Sequence, residues 1–134
     1  MDESIRHALA HGLTCDITTT GRTSGKPRRI EIWYVLIDGQ VYITGTPGPR
    51  DWYANLLAQP RFVFHIKEGA HADLPARALP ITDPAERRRI FEAVMRSNSW
   101  FRAQSYDLDA WVAASPLVAI EFDAANSDRE ENRP

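Results

Sequence analysis

At 134 residues, with 43% hydrophobic and 25% charged side chains, the chain has the size and composition of one globular domain that buries roughly two-thirds of its unfolded surface. A net charge of −2 gives no field to draw the whole molecule to nucleic acid. No stretch approaches the roughly 18 apolar residues of a membrane span, and the single Cys15 excludes an internal disulfide and a cysteine-based zinc site.

Taken in chain order, Glu3 to Ala10 reads as a short helix capped near Asp2 or Ser4 and stopped at Gly12. The start MDESIRHALAHG lacks the basic and apolar runs of a signal peptide, which leads to the expectation of a cytoplasmic protein. Leu13 to Thr20 is threonine-rich and β-branched, hence a strand. Ser24-Gly25 fits a hairpin turn, with Pro27 opening the next strand. Along that strand Ile30, Ile32, Tyr34 and Leu36 share one face; Glu31, Trp33, Val35 and Ile37 share the other. Both faces are largely apolar, so one covers the core and the other a ligand, a partner chain or a helix, and a homodimer is one way to satisfy it.

Asp38-Gly39 is a two-residue hairpin signal, and Gln40 to Thr44 is the returning strand. After the loop Gly45-Thr46-Pro47-Gly48-Pro49, Arg50 to Ala58 reads as a helix and Arg61 to Lys67 as a strand. His71 to Leu79 reads as a strand weakened by Pro75. Thr82-Asp83-Pro84 starts a helix ending near Asn98, Asp107 or Asp109 caps a shorter one through Ala114, and Pro116 to Phe122 is a last strand. From Ala124 the sequence AANSDREENRP has no apolar periodicity, and disorder is expected for 124–134. Short antiparallel connections and peripheral helices predict a single α+β domain over 1–123, a split antiparallel β-barrel of about six strands with helices packed outside.

The chemistry concentrates between Ile17 and Asn55. Four cations, Arg22, Lys26, Arg28 and Arg29, fall within one turn region with Gly21, Thr23, Ser24 and Gly25. Arginines and backbone amides converging at a glycine-bearing turn suit an anionic group, because glycine lets the backbone approach it closely. A cationic hairpin can equally serve only to keep a turn in water. Trp33, Tyr34, Trp52 and Tyr53 can supply a flat apolar slot, although such aromatics are usually core.

The string TTTGRTSGKPR, the strand IWYV, the Asp-Gly turn and DWYANLLAQPRFVF resemble the deazaflavin-dependent nitroreductase family, split β-barrels related to pyridoxamine-phosphate-oxidase-like flavoproteins. The resemblance implies coenzyme F420, an 8-hydroxy-5-deazaflavin, and hydride transfer to a small-molecule acceptor such as a quinone, nitroaromatic or activated enone. It places Arg22, Ser24 and Arg28 at a phosphate-proximal turn that also includes Thr23, Gly25 and Lys26. Trp33 and Thr44 then fall on the strands beside the ring pocket, with Thr46 as a donor near the ring. Trp52, Tyr53 and Asn55 match the family's W-Y-x-N-L helix, and Tyr106 matches in rough placement a tyrosine-bearing flap that could supply a proton. Thr46 and Tyr106 are therefore the catalytic candidates. Two departures stand out: Thr23 and Pro47 occupy positions where a cation is common. Lys26 and Arg50 could replace those charges; otherwise FMN is the alternative cofactor, and a noncatalytic flavin-type ligand binder the alternative function.

Other constellations are weaker. His7 and His11 have the spacing of a metal pair but no third ligand, so no metal is expected. His65, His71 and the run Arg87-Arg88-Arg89 read as solvated surface. No nucleophile-elbow, P-loop or dinucleotide fingerprint is present.

Overall fold

The protein was analysed as a computed structural model that describes residues 1–123; the disorder expected for 124–134 lies outside the described residues. Asp2 caps the first helix, α1 (Glu3–His11), by accepting a hydrogen bond from Ser4 N at 2.7 Å. Three strands follow: β1 (Thr14–Thr20), β2 (Pro27–Ile37) and β3 (Gln40–Thr44). Asp38 and Gly39 join the last two with φ of 51° and 80°, the paired left-handed geometry of the tight turn that Asp-Gly announces. After α2 (Asp51–Ala58) come β4 (Arg61–Ile66) and β5 (Ala72–Pro80), then α3 (Pro84–Ser97), α4 (Ser99–Arg102), α5 (Leu108–Ala114) and β6 (Leu117–Phe122). The one-turn α4, capped by Asn98, has no counterpart in the sequence reading.

The strands close in the order β1-β2-β3-β6-β5-β4, every pairing antiparallel. The α+β barrel expected from the short turns is therefore the architecture. Closure across Ile17↔Phe64 leaves no free sheet edge to template aggregation. Alternation along the strands sends Cys15, Ile17, Ile43, Phe64 and Val118 into one buried cluster inside the barrel. Val35, Tyr42, Leu117 and Ala119 point outward and bury against Ile90, Phe91, Val94, Phe101 and Trp111 of the helices. The two apolar faces of β2 are thus explained within one chain: Tyr34 enters the barrel and Val35 lies under helices.

Two residues read as solvated are buried. Arg87 is 8% exposed and stitches α3 to the end of α5. Its Nε donates to Val112 O at 2.7 Å, Nη1 to Ile81 O at 2.8 Å and Nη2 to Ser115 O at 2.5 Å. Carbonyls orphaned at a helix end need such a donor, and a run of three arginines on a helix conceals which one turns inward. His65 is 8% exposed as well, bridging Thr18 Oγ1 (2.7 Å from Nε2) and Asp73 Oδ1 (2.6 Å from Nδ1) across three strands. Thr18, His65 and Asp73 are ordered as in a hydrolase triad, but their bonds run from strand to strand, and they act as a cross-strand tie.

Just beyond β4 the Glu68 carboxylate accepts from Thr14 N and Thr14 Oγ1, both at 2.7 Å, and from Leu13 N at 3.2 Å. These bonds, led by the Thr14 hydroxyl, hold its pKa below the ordinary glutamate range. A carboxylate with a depressed folded pKa stabilises above its unfolded pKa and loses that contribution as pH falls through the folded value. Glu68→Gln is expected to lower Tm at pH 7, with the gap to the parent closing as pH falls through the depressed folded pKa of the carboxyl; thermal melts across pH check this.

Candidate functional site

The turn between β1 and β2 is built by local bonds. Gly21 N donates to Lys26 O and Gly25 N to Gly21 O, each at 2.8 Å, and Ser24 Oγ accepts from Lys26 N at 3.1 Å. A Cβ on Gly21 would stand 2.6 Å from Ser24 Oγ and 3.3 Å from Lys26 O, so only glycine fits without opening the turn. Gly25 has φ of +70°, where a side chain is strained.

The turn is fastened to α2 by one side chain. Asn55, 5% exposed, accepts through Oδ1 from Arg22 N at 3.1 Å and from Arg22 Nη1 at 2.9 Å. Its Nδ2 donates to Thr19 Oγ1 at 3.5 Å. Arg22 Nη2 reaches Asp51 Oδ1 at 3.2 Å. The Arg22 charge is therefore matched by an acid, and its guanidinium braces the turn. Arg28 differs: its Nε lies 3.8 Å from the position of a Gly21 Cβ, and no carboxylate pairs with it among the described residues.

Between this turn and α2 lies a cleft of about 630 Å³ lined by Arg22, Thr23, Ser24, Arg28, Asp51 and Asn55, with Ile30 and Trp52 at one side. Ile30 and Trp52 also line a second lobe of about 280 Å³ with Ile32, Trp33, Thr44, Thr46, Arg50 and Trp100. The two lobes share those residues and so lie side by side, the first cationic and hydroxyl-rich, the second aromatic. In the aromatic lobe Trp33 and Trp100 stack with centroids 5.7 Å apart and planes 14° from parallel. Thr46 Oγ1 accepts from Arg50 Nη2 at 2.7 Å, and Thr46 O accepts from the same nitrogen at 3.0 Å. Receiving that bond leaves the Thr46 hydroxyl proton free to be donated elsewhere.

The sequence candidates sort by these distances. Arg22, Thr23, Ser24, Arg28 and Asn55 line the cationic lobe, Trp33, Thr44, Thr46 and Arg50 the aromatic lobe, and Trp52 both. Thr44 donates its hydroxyl to Pro116 O at 2.6 Å, so it joins β3 to the start of β6. Gly25 shapes the turn, and Lys26 lines neither lobe. Tyr53 turns to the other side of α2, into a different pocket. Tyr106 is 47% exposed and packs edge-on to Trp111 at 6.0 Å, outside both lobes. Trp100, which sequence reasoning missed, is the residue of that segment that reaches the groove. Its pairing with Trp33 spans 67 positions and has no local signature. Cys15 carries no site chemistry, because burial pushes its thiol up to about 12.

The fold is a six-stranded closed barrel that carries a cationic turn and an aromatic slot side by side on its outer surface. The chain belongs to the F420H(2)-dependent quinone reductase family, which it matches over residues 6–126. Its fold is shared with a conserved hypothetical protein of Mycobacterium tuberculosis (TM-score 0.65, 20% identity, 91% of this chain and 81% of that one). An F420 reductase superposes with TM-score 0.63 at 18% identity over 92% and 96% of the two chains. A FAD-binding protein of Mesorhizobium loti does so with TM-score 0.63 at 14% identity over 87% and 86%. The protein is an F420-dependent oxidoreductase, and the donor set fits that coenzyme: an arginine without an acid partner and hydroxyls at one end, an aromatic slot at the other. Among the described residues no helix is long and apolar enough to cross a membrane.

Proposed function

We propose that the groove holds F420 with its phosphate at Arg28 and the Gly21–Gly25 turn and its ring in the Trp33–Trp100 lobe, and that the acceptor is a flat quinone. What supports this reading is that the cationic and aromatic lobes adjoin, with Ile30 and Trp52 in the walls of both. When bound, the reduced coenzyme supplies a hydride. The protein's part is to position, to exclude water and to manage a proton. Arg28 contributes a charge-assisted contact where Arg22, tied to Asp51, contributes rigidity. The exposed indole of Trp100, stacked on Trp33, walls the aromatic lobe and favours planar conjugated acceptors. The Thr46 hydroxyl, held by Arg50, is the donor toward the oxygen anion that a quinone develops on accepting hydride.

Of the two cations expected to compensate for Thr23 and Pro47, Arg50 is spent on the loop carbonyls of Pro49 and Thr46. The tail contact in this reading therefore rests on Arg28, which stands at the turn itself.

Oxidation of reduced F420 by 1,4-naphthoquinone, followed by absorbance, tests the acceptor class. Turnover is expected, with Trp100→Ala raising KM severalfold and changing kcat less. Failure to reduce the quinone while a nitroaromatic is turned over would contradict the quinone reading.

Arg28→Ala is expected to weaken F420 binding about tenfold to a hundredfold, the value of one charge-assisted contact, and to flatten the dependence of affinity on salt. Calorimetry at two ionic strengths measures both; unchanged affinity would remove Arg28 from the phosphate site.

A further inference from the structure

Behind the cofactor groove, on the far side of α2, a separate pocket of about 520 Å³ lies among the Gly48–Pro49 loop, Tyr53, the Ile81–Thr82 corner and the end of α5. Arg87 lines it and is 8% exposed. Three of its nitrogens donate to carbonyls, Nη2 making a second, longer bond to Trp111 O at 3.5 Å. These bonds use four of the five N–H groups of a guanidinium and leave one on Nη1.

No acid pairs with Arg87 among the described residues, and burial lowers its pKa from the ordinary arginine value. The carbonyl end of α5 offsets part of that positive charge, since a helix C-terminus carries about half a negative charge at most. A buried charge left without a counter-ion is costly unless something supplies one.

Other polar side chains line the same pocket or its wall. Ser115 is 4% exposed, and its buried hydroxyl has no partner among the described residues. The hydroxyls of Tyr53 and Thr82, also lining the pocket, make no hydrogen bond among them. The remaining walls, including Pro49, Ile81, Ala113 and Pro116, are apolar.

We propose that this pocket is a second ligand site, independent of the cofactor groove, for a small organic monocarboxylate. One buried guanidinium matches one negative charge, and the hydroxyls of Tyr53 and Thr82 can donate to carboxylate oxygens. The apolar walls suit an attached hydrocarbon body. A phosphate dianion would need further cations that the pocket lacks. The site touches the cofactor loop from behind, because Gly48 N donates to Ala114 O at 3.0 Å while Arg50 and Thr46 of the same loop face the aromatic lobe.

The test is a titration of the 15N-labelled protein, saturated with F420, using benzoate and, separately, inorganic phosphate as probes. Benzoate should produce saturable amide shifts at Gly48, Thr82, Ala114 and Ser115, with phosphate far weaker. Thr82→Val and Tyr53→Phe, each retaining a folded spectrum, should weaken benzoate about twofold to tenfold, the range of one neutral hydrogen bond. Absence of saturable shifts at those amides would overturn the site. So would phosphate binding as tightly as benzoate, or affinity unchanged in both variants.

Discussion

The groove exists because a turn from one hairpin and a helix from the next connection are held at a fixed distance, and one buried amide sets it. Asn55 takes both the backbone and the guanidinium of Arg22 on a single oxygen and reaches Thr19 with its nitrogen. A buried amide deprived of partners costs roughly 1–3 kcal/mol, so the turn and α2 are driven to stay docked. With that docking in place, Asp51 neutralises Arg22, Arg28 lines the cleft without a carboxylate partner among the described residues, and Trp52 is brought to the wall between the two lobes. Because its neighbours are held in this way, the cationic lobe is preorganised.

The barrel supplies the second half of the constraint. β2 is long enough to serve three surroundings: Ile30 and Trp33 face the groove, Tyr34 the barrel interior and Val35 the helices. Helix packing on Val35 and Tyr42 in turn carries α4, which delivers Trp100 to Trp33. The aromatic lobe therefore depends on the outer helical layer, although most of its wall belongs to strands. Arg87 secures that layer by ending α5 on donors from α3.

The parts legible in the sequence were those coded within a few residues. Asp38-Gly39 fixes a turn by its φ values, Asp83 caps α3 by accepting from Glu86 N, and glycines mark the cationic turn. The barrel followed from turns too short for crossover helices, and the cationic cluster from its density. What stayed hidden depends on contacts between distant segments. Trp100 meets Trp33, His65 meets Thr18, and Arg87 rather than its neighbours turns inward. Tyr53 and Tyr106 illustrate the same limit from the other side. Their chemistry suits a ring site, but α2 rotates Tyr53 away, and the segment after α4 lays Tyr106 against Trp111. Periodicity identifies a helix face; which neighbour that face meets is a tertiary outcome.

A crystal structure of the protein with F420 tests the central claim most directly. The account predicts the phosphate within hydrogen-bonding distance of the Arg28 guanidinium and the Ser24 hydroxyl, and the deazaflavin ring against Trp33 and Trp100 with Thr46 beside it. A phosphate held instead by Lys26 or Arg50, or a ring lying outside the Trp33–Trp100 lobe, would contradict it.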